Sequence, residues 1–426
     1  MRGQANGAAA EMTGISPGAP GYRRVTLALF LAGLATFSLL YCVQPLLPLL
    51  AAGFHVSPAS SSLALSLSTG VLALAILNAA PLSEAFGRRG LMAVSMLLAA
   101  LLNVASAWAG SWPLLLLLRA AEGLALGGVP AVAMAYVAEE IHPDGLGLVM
   151  GLYVGGTAFG GMIGRVATGC LAEFAGWHWA LAIVGLADLL AAAGFVVLLP
   201  PSRNFRPGRG LSAGHHARLW LGHLRAPGLL GLFATGFLAM GAFVTLYNYA
   251  AFRLVAPPYR LSQTGIGLIF VCYLFGIVAS WAAGRLADRL RRGLVMVGGV
   301  LVSIAGVLLT LAAPLGLIIA GIALITIGFF VTHAVASGWV GRLARGAKGH
   351  AASLYLLAYY IGSSVAGSLG GWFWIAHGWD GVAGFTLALL ALALAVAWLL
   401  LAGEKTRAAG EPSARSPRPS GGAASH

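Results

Sequence analysis

Twelve apolar runs divide this chain, and each is long enough to cross a lipid bilayer, which takes about 20 residues of helix. They lie near 25–50, 60–82, 90–109, 114–137, 146–169, 178–199, 228–252, 262–284, 294–312, 316–340, 351–375 and 381–402, and are called spans 1 to 12 below. In hydrocarbon every backbone N–H and C=O must find a partner within the protein, so runs of this length become helices. The expected fold class is an all-α membrane protein. Composition agrees: 59% of the residues are hydrophobic and 9% charged, against roughly 25% charged in soluble domains. Sixty glycines suit membrane helices, whose backbones approach closely where side chains are small.

The runs form two sets of six. A charged phrase after span 2, Leu82-Ser83-Glu84-Ala85-Phe86-Gly87-Arg88-Arg89, returns after span 8 as Leu286-Ala287-Asp288-Arg289-Leu290-Arg291-Arg292. Leu152-Tyr153 returns as Leu354-Tyr355, and Gly176-Trp177 as Gly378-Trp379. A chain that repeats at half its length is built from two related bundles, an arrangement common in secondary transporters. The expected division is a disordered tail 1–24, a six-helix bundle 25–199, a basic linker 200–227, a second bundle 228–402 and a disordered tail 403–426. In the linker, His215 to Leu224 has the composition of a helix lying on a membrane surface.

The net charge of +13 raises the question of nucleic acid, and its distribution answers it. Twenty-one of the 25 Lys and Arg residues fall in the tails or in alternate connections. Arg260, with Arg253 nearby, stands on the other side, while Arg119 and Arg165 lie inside spans. Basic connections remain in the cytoplasm, so both termini are expected there, the excess charge is a topology signal, and no nucleic-acid partner is expected. Cys42, Cys170 and Cys272 lack metal or redox spacing and are read as packed thiols. No H-E-x-x-H, G-x-S-x-G or phosphate-loop motif is present. An enzyme is therefore not expected, and neither is a cofactor or a metal.

The doubled phrase resembles G-x-L-A-D-R-x-G-R-R/K, a signature of the major facilitator superfamily. The first copy keeps Gly87, Arg88 and Arg89 but has Ala80 and Glu84 in place of Gly and Asp; the second keeps Gly284 and Asp288 but has Arg291 and Gly293 at other positions. Arg119-x-x-Glu122-Gly123 and the Gly155 to Arg165 run extend the match. Tyr41-Cys42-Val43-Gln44-Pro45 and Glu139-Glu140-Ile141-His142-Pro143 narrow it. The chain resembles YnfM-type inner-membrane transporters, near the arabinose-efflux-permease-like and drug:proton antiporter branches. The resemblance implies a bacterial inner-membrane transporter of twelve helices, monomeric and surrounded by lipid. Its substrates would be small organic molecules such as drugs, sugars or metabolites, exported in exchange for protons. Import by symport and uncoupled facilitation stay open, with a transporter-fold sensor more remote.

The resemblance assigns Glu84, Gly87, Arg88, Arg89, Gly284, Asp288, Arg289 and Arg292 to a cytoplasmic gate, and proton coupling to Arg119. The residues themselves add Glu122, one helical turn from Arg119 and on the same face. Charges at membrane depth are costly unless paired or wet. Asp188 in span 6 and His333 in span 10 are weaker candidates for carrying the proton, each with a packing alternative. Arg165 is expected to pair with Glu173 as a structural contact. The superfamily's cavity is lined mainly by spans 1, 4, 7 and 10, which nominates Tyr41, Gln44, Thr245, Tyr247 and Asn248 for substrate. That uncharged set suits neutral or weakly polar molecules. Tyr249 reads as part of the interfacial aromatic belt. Gly156, Gly160, Gly161 and Gly164 form a packing face on span 5, with Gly161 where the antiporter motif has proline.

Overall fold

The computed structural model describes residues 14–204, 213–344 and 346–410, with backbone alone for 80, 81, 84, 213 and 405–410. No strand is present among them, and ten stretches are long and apolar enough to cross a membrane. Two of the ten, Pro143–Leu198 and Lys348–Glu404, have the length for two crossings each, which accommodates the twelve expected spans. The first doubles back at Gly176 (φ 77°) and the second at Gly378 (φ 58°), backbone conformations that favour glycine. Hydrogen bonds record the first return: Glu140, before the stretch, accepts from Arg203 N at 2.7 Å, after it. In the second, Tyr355 near the start and Leu400 near the end both pack on span 7, against Gly236 and Gly231. Leucines, phenylalanines and tryptophans such as Leu74, Phe174, Leu190 and Trp372 stand outward on the bundle, the surface that hydrocarbon would cover.

Span 1 (Pro20–Tyr41) ends where the sequence approaches Pro45 and Pro48, and resumes through Gln44–Leu46 and Leu47–Gly53. Proline has no N–H to continue a helix, and a helix end leaves carbonyls without partners. Span 4 breaks similarly, into Trp112–Leu126 and Pro130–Glu140. Both tails are shorter than expected. Span 1 begins at Pro20, and Ile15 bridges to the 140–142 segment by hydrogen bonds with Glu140 O and His142 N at 2.8 and 3.2 Å. At the other end, helix continues to Gly410, and Glu404 caps the start of span 9 (Arg292–Leu309) by accepting from Arg292 N and Gly293 N. Residues 1–13 and 411–426 lie outside the described residues. The linker helix, Ala213–Leu224, docks against the start of span 11 through His216–His350 at 2.9 Å and Trp220–Ser353 at 3.4 Å.

The glycine face of span 5 meets span 1. A Cβ at Gly156 would lie 2.5 Å from Phe30 O, at Gly160 2.1 Å from Leu34 O, and at Gly164 2.8 Å from Ser38. The second half repeats the device between spans 7 and 11, where a Cβ at Gly362 would lie 2.2 Å from Phe237 O. The halves meet at the end of the bundle remote from the chain termini. There Ser364 Oγ donates to Ser66 O (2.7 Å), Thr264 N to Glu173 Oε2 (2.7 Å) and Gln44 Nε2 to Asn248 Oδ1 (2.7 Å). Gly160→Val forces spans 1 and 5 apart and should cost about 1–3 kcal/mol. Thermal unfolding of detergent-purified protein checks it, with Gly155→Val, a position with open space around it, expected to match wild type closely.

Candidate functional site

Three groups of residues bear on function, beginning with the doubled phrase. Arg88 reaches Glu139 of span 4 at 2.7 Å, with Ser83 also bonded to it, and Arg89 donates to Val196 O at 2.7 Å. Gly87 takes φ 77° at the turn between spans 2 and 3. In the second copy Asp288 faces Arg342 at 3.4 Å, both largely exposed. Gly284 and Arg289 are exposed, and Arg292 contributes its N–H to Glu404. These contacts stay within one half each. The side chain of Glu84 lies outside the described residues.

The second group is a polar cluster inside the first half. Arg119 and Glu122 are fully buried, joined Nη1 to Oε2 at 2.5 Å. Arg119 spends its other donors on three elements: Nε on Ala64 O (3.0 Å), Nη2 on Leu40 O (3.0 Å) and Nη1 on Asn103 Oδ1 (3.3 Å). The Leu40 carbonyl is available because span 1 ends one residue later. Asp188 comes into the same neighbourhood from span 6, near Ser38 and within electrostatic range of Glu122. Glu122 Oε1 and Asp188 Oδ2 are both buried without a hydrogen-bond partner among the described residues. A Cβ at Gly321, the position in the second half opposite Arg119, would meet Gly306 O at 2.6 Å, so close helix packing stands there in place of charge.

The third group is a cavity of about 140 Å³ between the halves. Its wall comes from span 1 (Phe37, Tyr41), span 5 (Thr157, Gly161, Arg165), span 7 (Met240, Phe243), span 8 (Tyr273, Ser280), span 10 (Phe329, Phe330, His333) and span 11 (Tyr359, Tyr360). Span 4 is absent from this wall, because its charged face turns toward spans 1, 2 and 3. Of the residues nominated for substrate, Tyr41 lines the cavity. Gln44 and Asn248 stand behind it, bonded to each other. Thr245 and Tyr247 do not reach it: their hydroxyls bond Ala366 O at 2.9 Å and Thr326 Oγ1 at 2.8 Å, and span 7 presents Met240 and Phe243 instead. Tyr249 is buried rather than interfacial, donating to Gly367 O at 3.0 Å. His333 shares a hydrogen bond with the Tyr355 hydroxyl at 2.9 Å and stacks on Phe329. A larger cleft of about 610 Å³ lies beside the linker helix, at Arg218, His223 and Arg342, away from both inner groups.

The sequence spacing suggests Glu173 as the structural partner of Arg165, and the structure separates them. Glu173 accepts from Thr264 N, whereas Arg165 donates Nε to Gln44 Oε1 at 2.6 Å and Nη1 to Gly161 O at 2.5 Å. Its guanidinium lies over Tyr41 at 4.1 Å, with Tyr273 at 5.0 Å and Phe270 at 5.1 Å. Gly161 accordingly faces Arg165 most closely; a Cβ there would lie 3.2 Å from Nη1 and 3.9 Å from Phe37 of span 1. Gly161 and Arg165, four residues apart, share a helix face, and that spacing was the available signal for this contact. The aromatic residues of spans 8, 10 and 11 carried no such signal, since aromatic residues in spans read equally as packing.

Two bundles of membrane-spanning helices with a cavity between them are the architecture of secondary transporters. The chain belongs to the Major Facilitator Superfamily, whose profile matches residues 26–256 and 238–424; it is a multi-pass membrane transporter. It is 51% identical over 384 residues to the inner membrane transport protein YnfM of Escherichia coli K12, covering 90% of this chain and 91% of that one. It is 44% identical over 388 residues to the uncharacterized MFS-type transporter YybF of Bacillus subtilis 168, covering 91% and 95%. Among solved structures, a bacterial homologue of the human lysosomal transporter Spinster, in an inward-facing and occupied conformation, shares the fold with TM-score 0.73. It is 15% identical, over 93% of this chain and 100% of that one. Tyr247→Phe should cost about 1 kcal/mol of stability through the lost bond to Thr326 and leave transport unchanged. Thermal unfolding and liposome uptake, measured side by side, check both parts.

Proposed function

We propose that the protein is a proton-coupled exporter of small organic molecules in the bacterial inner membrane, a monomer with both termini in the cytoplasm. One observation carries the coupling: Glu122 pairs with the buried guanidinium of Arg119, and a second buried carboxyl, Asp188, stands within electrostatic range of Glu122. With both ionised the cluster would hold an uncompensated negative charge, which costs several kcal/mol at membrane depth. A proton on either carboxyl removes that charge. Arg119 also holds the end of span 1 through Leu40 O, and span 1 carries Phe37 and Tyr41 of the cavity wall. Proton gain or loss at the cluster therefore acts on the element that borders substrate. His333, in the cavity wall and apart from the cluster, is assigned to substrate contact.

Alternating access is supported by where the halves touch. Their hydrogen bonds lie at the end remote from the termini, while Arg88–Glu139 and Asp288–Arg342 pair within each half at the other end. When the cavity turns outward, the doubled phrases come together and re-pair across the halves. The basic residues beside them support a cytoplasmic location for that end. Export draws on the resemblance of the Gly155 to Arg165 run to the antiporter motif; import by symport is the alternative direction.

Purified protein in liposomes holding a pH-sensitive dye tests the coupling. Substrate-dependent proton flux is expected in wild type and its loss in Arg119→Ala. Glu122→Gln keeps the side-chain shape and should reduce proton flux at least about tenfold while substrate counterflow persists, the loss of about 1.4 kcal/mol or more of coupling. Substrate crossing with no proton movement in wild type, and equal rates in the variants, would mean an uncoupled facilitator.

A further inference from the structure

Among the described residues, the cavity holds a fixed cation without a counter-ion. Arg165 is 2% exposed, and both of its hydrogen-bond acceptors, Gln44 Oε1 and Gly161 O, are neutral. No Asp or Glu is present in the cavity wall. A guanidinium cannot shed its proton to escape burial, so its charge is held by aromatic faces: Tyr41 lies 4.1 Å beneath it and Tyr273 5.0 Å away. A second observation points the same way. The hydroxyl of Tyr41, in the wall and 3% exposed, is buried with no hydrogen-bond partner among the described residues. One permanent charge and one idle hydroxyl thus belong to the same wall of a largely aromatic chamber, with Phe243, Phe329 and Phe330 around it. At about 140 Å³ the chamber is well below the roughly 300–1,000 Å³ of sites for drug-sized ligands.

We propose that this cavity takes a single-ring organic anion, whose carboxylate meets Arg165 and the Tyr41 hydroxyl while its ring lies among the phenylalanines. The inference rests on the transport reading above and narrows it, away from the neutral molecules that the uncharged residues of spans 1 and 7 suggested. A planar carboxylate matches the fork of a guanidinium, and it would bring the counter-ion that the protein omits. Organic cations are excluded from the chamber by the same charge.

Binding to detergent-purified protein decides the matter. Benzoate, phenylacetate, 4-hydroxybenzoate and cinnamate are each titrated at neutral pH against the corresponding amide, by calorimetry, in wild type, Arg165→Gln and Arg165→Lys. At least one acid should outbind its amide by about tenfold or more, the worth of a charge-assisted pair. That preference should vanish in Arg165→Gln and fall several-fold in Arg165→Lys, whose ammonium lacks the fork. If no acid outbinds its amide, or the preference is unchanged in Arg165→Gln, the inference is overturned. Should Arg165→Gln fail to fold, an undiminished preference in Arg165→Lys overturns it equally. Counterflow of the same compounds into liposomes separates the two readings. Arg165-dependent binding without counterflow sustains the anion site and removes the transport reading. Counterflow of amides with no preference for acids keeps transport and removes the anion site.

Discussion

Arg119 has no water to fall back on, and the first half is arranged to supply what water would have given. Its donors reach Glu122 beside it, Ala64 O of span 2, Leu40 O of span 1 and Asn103 of span 3. Span 1 frees its last carbonyls by ending ahead of two prolines, and Ala64 O, near the start of span 2, is a shared acceptor for Arg119 Nε and Ser68 Oγ. A Cβ at Gly123 would come 2.2 Å from Ser68 O, so glycine there lets span 4 close on span 2 and bring the guanidinium within reach. Removing one of these groups leaves a buried charge partly unsatisfied, which is why the arrangement holds together as a unit.

The two halves share backbone architecture and differ in chemistry. Spans 1 and 5 pack through Gly156, Gly160 and Gly164, and spans 7 and 11 through Gly362, with Cβ positions that would collide with backbone oxygens in both cases. Among the described residues, charge is buried at depth in the first half, at Arg119, Glu122, Asp188 and Arg165, while the second half turns aromatic side chains toward the cavity. A duplicated scaffold has thereby been divided between a polar bundle and an aromatic one. The cavity forms where they face each other, and Arg165 on Tyr273 and Phe270 is the contact in which the two chemistries meet.

Hydrogen bonds across the halves gather at one end. The chain Arg165 to Gln44 to Asn248 runs from the cavity wall to the remote end by two hydrogen bonds of 2.6 and 2.7 Å. Ser364 on Ser66 and Thr264 on Glu173 add to the seam, each such bond contributing about 1 kcal/mol. Backbones also meet across it at glycine: a Cβ at Gly169 would lie 2.6 Å from Gly267, and one at Gly371 2.4 Å from Ala59.

Much was legible in the residues alone. The length and apolarity of the runs forced helices, because hydrocarbon leaves no other way to satisfy a backbone, and the doubled phrase announced two bundles. Arg119 with Glu122 could be paired from spacing, since residues three apart on a helix are neighbours. Where each tail begins was misread: Ile15 is held by the distant Glu140–His142 segment, and Glu404 by the start of span 9. Such long-range partners leave no local pattern. Arg165 is the clearest case. Its charge at depth was visible, and an acid eight residues away looked like its partner, yet span 1's break and span 8's aromatic rings claim it instead. By itself the sequence determined which segments enter the membrane and where charge is expensive, because those follow from single residues and their spacing. Only the tertiary structure decided which charges are neutralised and which face the cavity, because that depends on elements brought together from both halves of the chain.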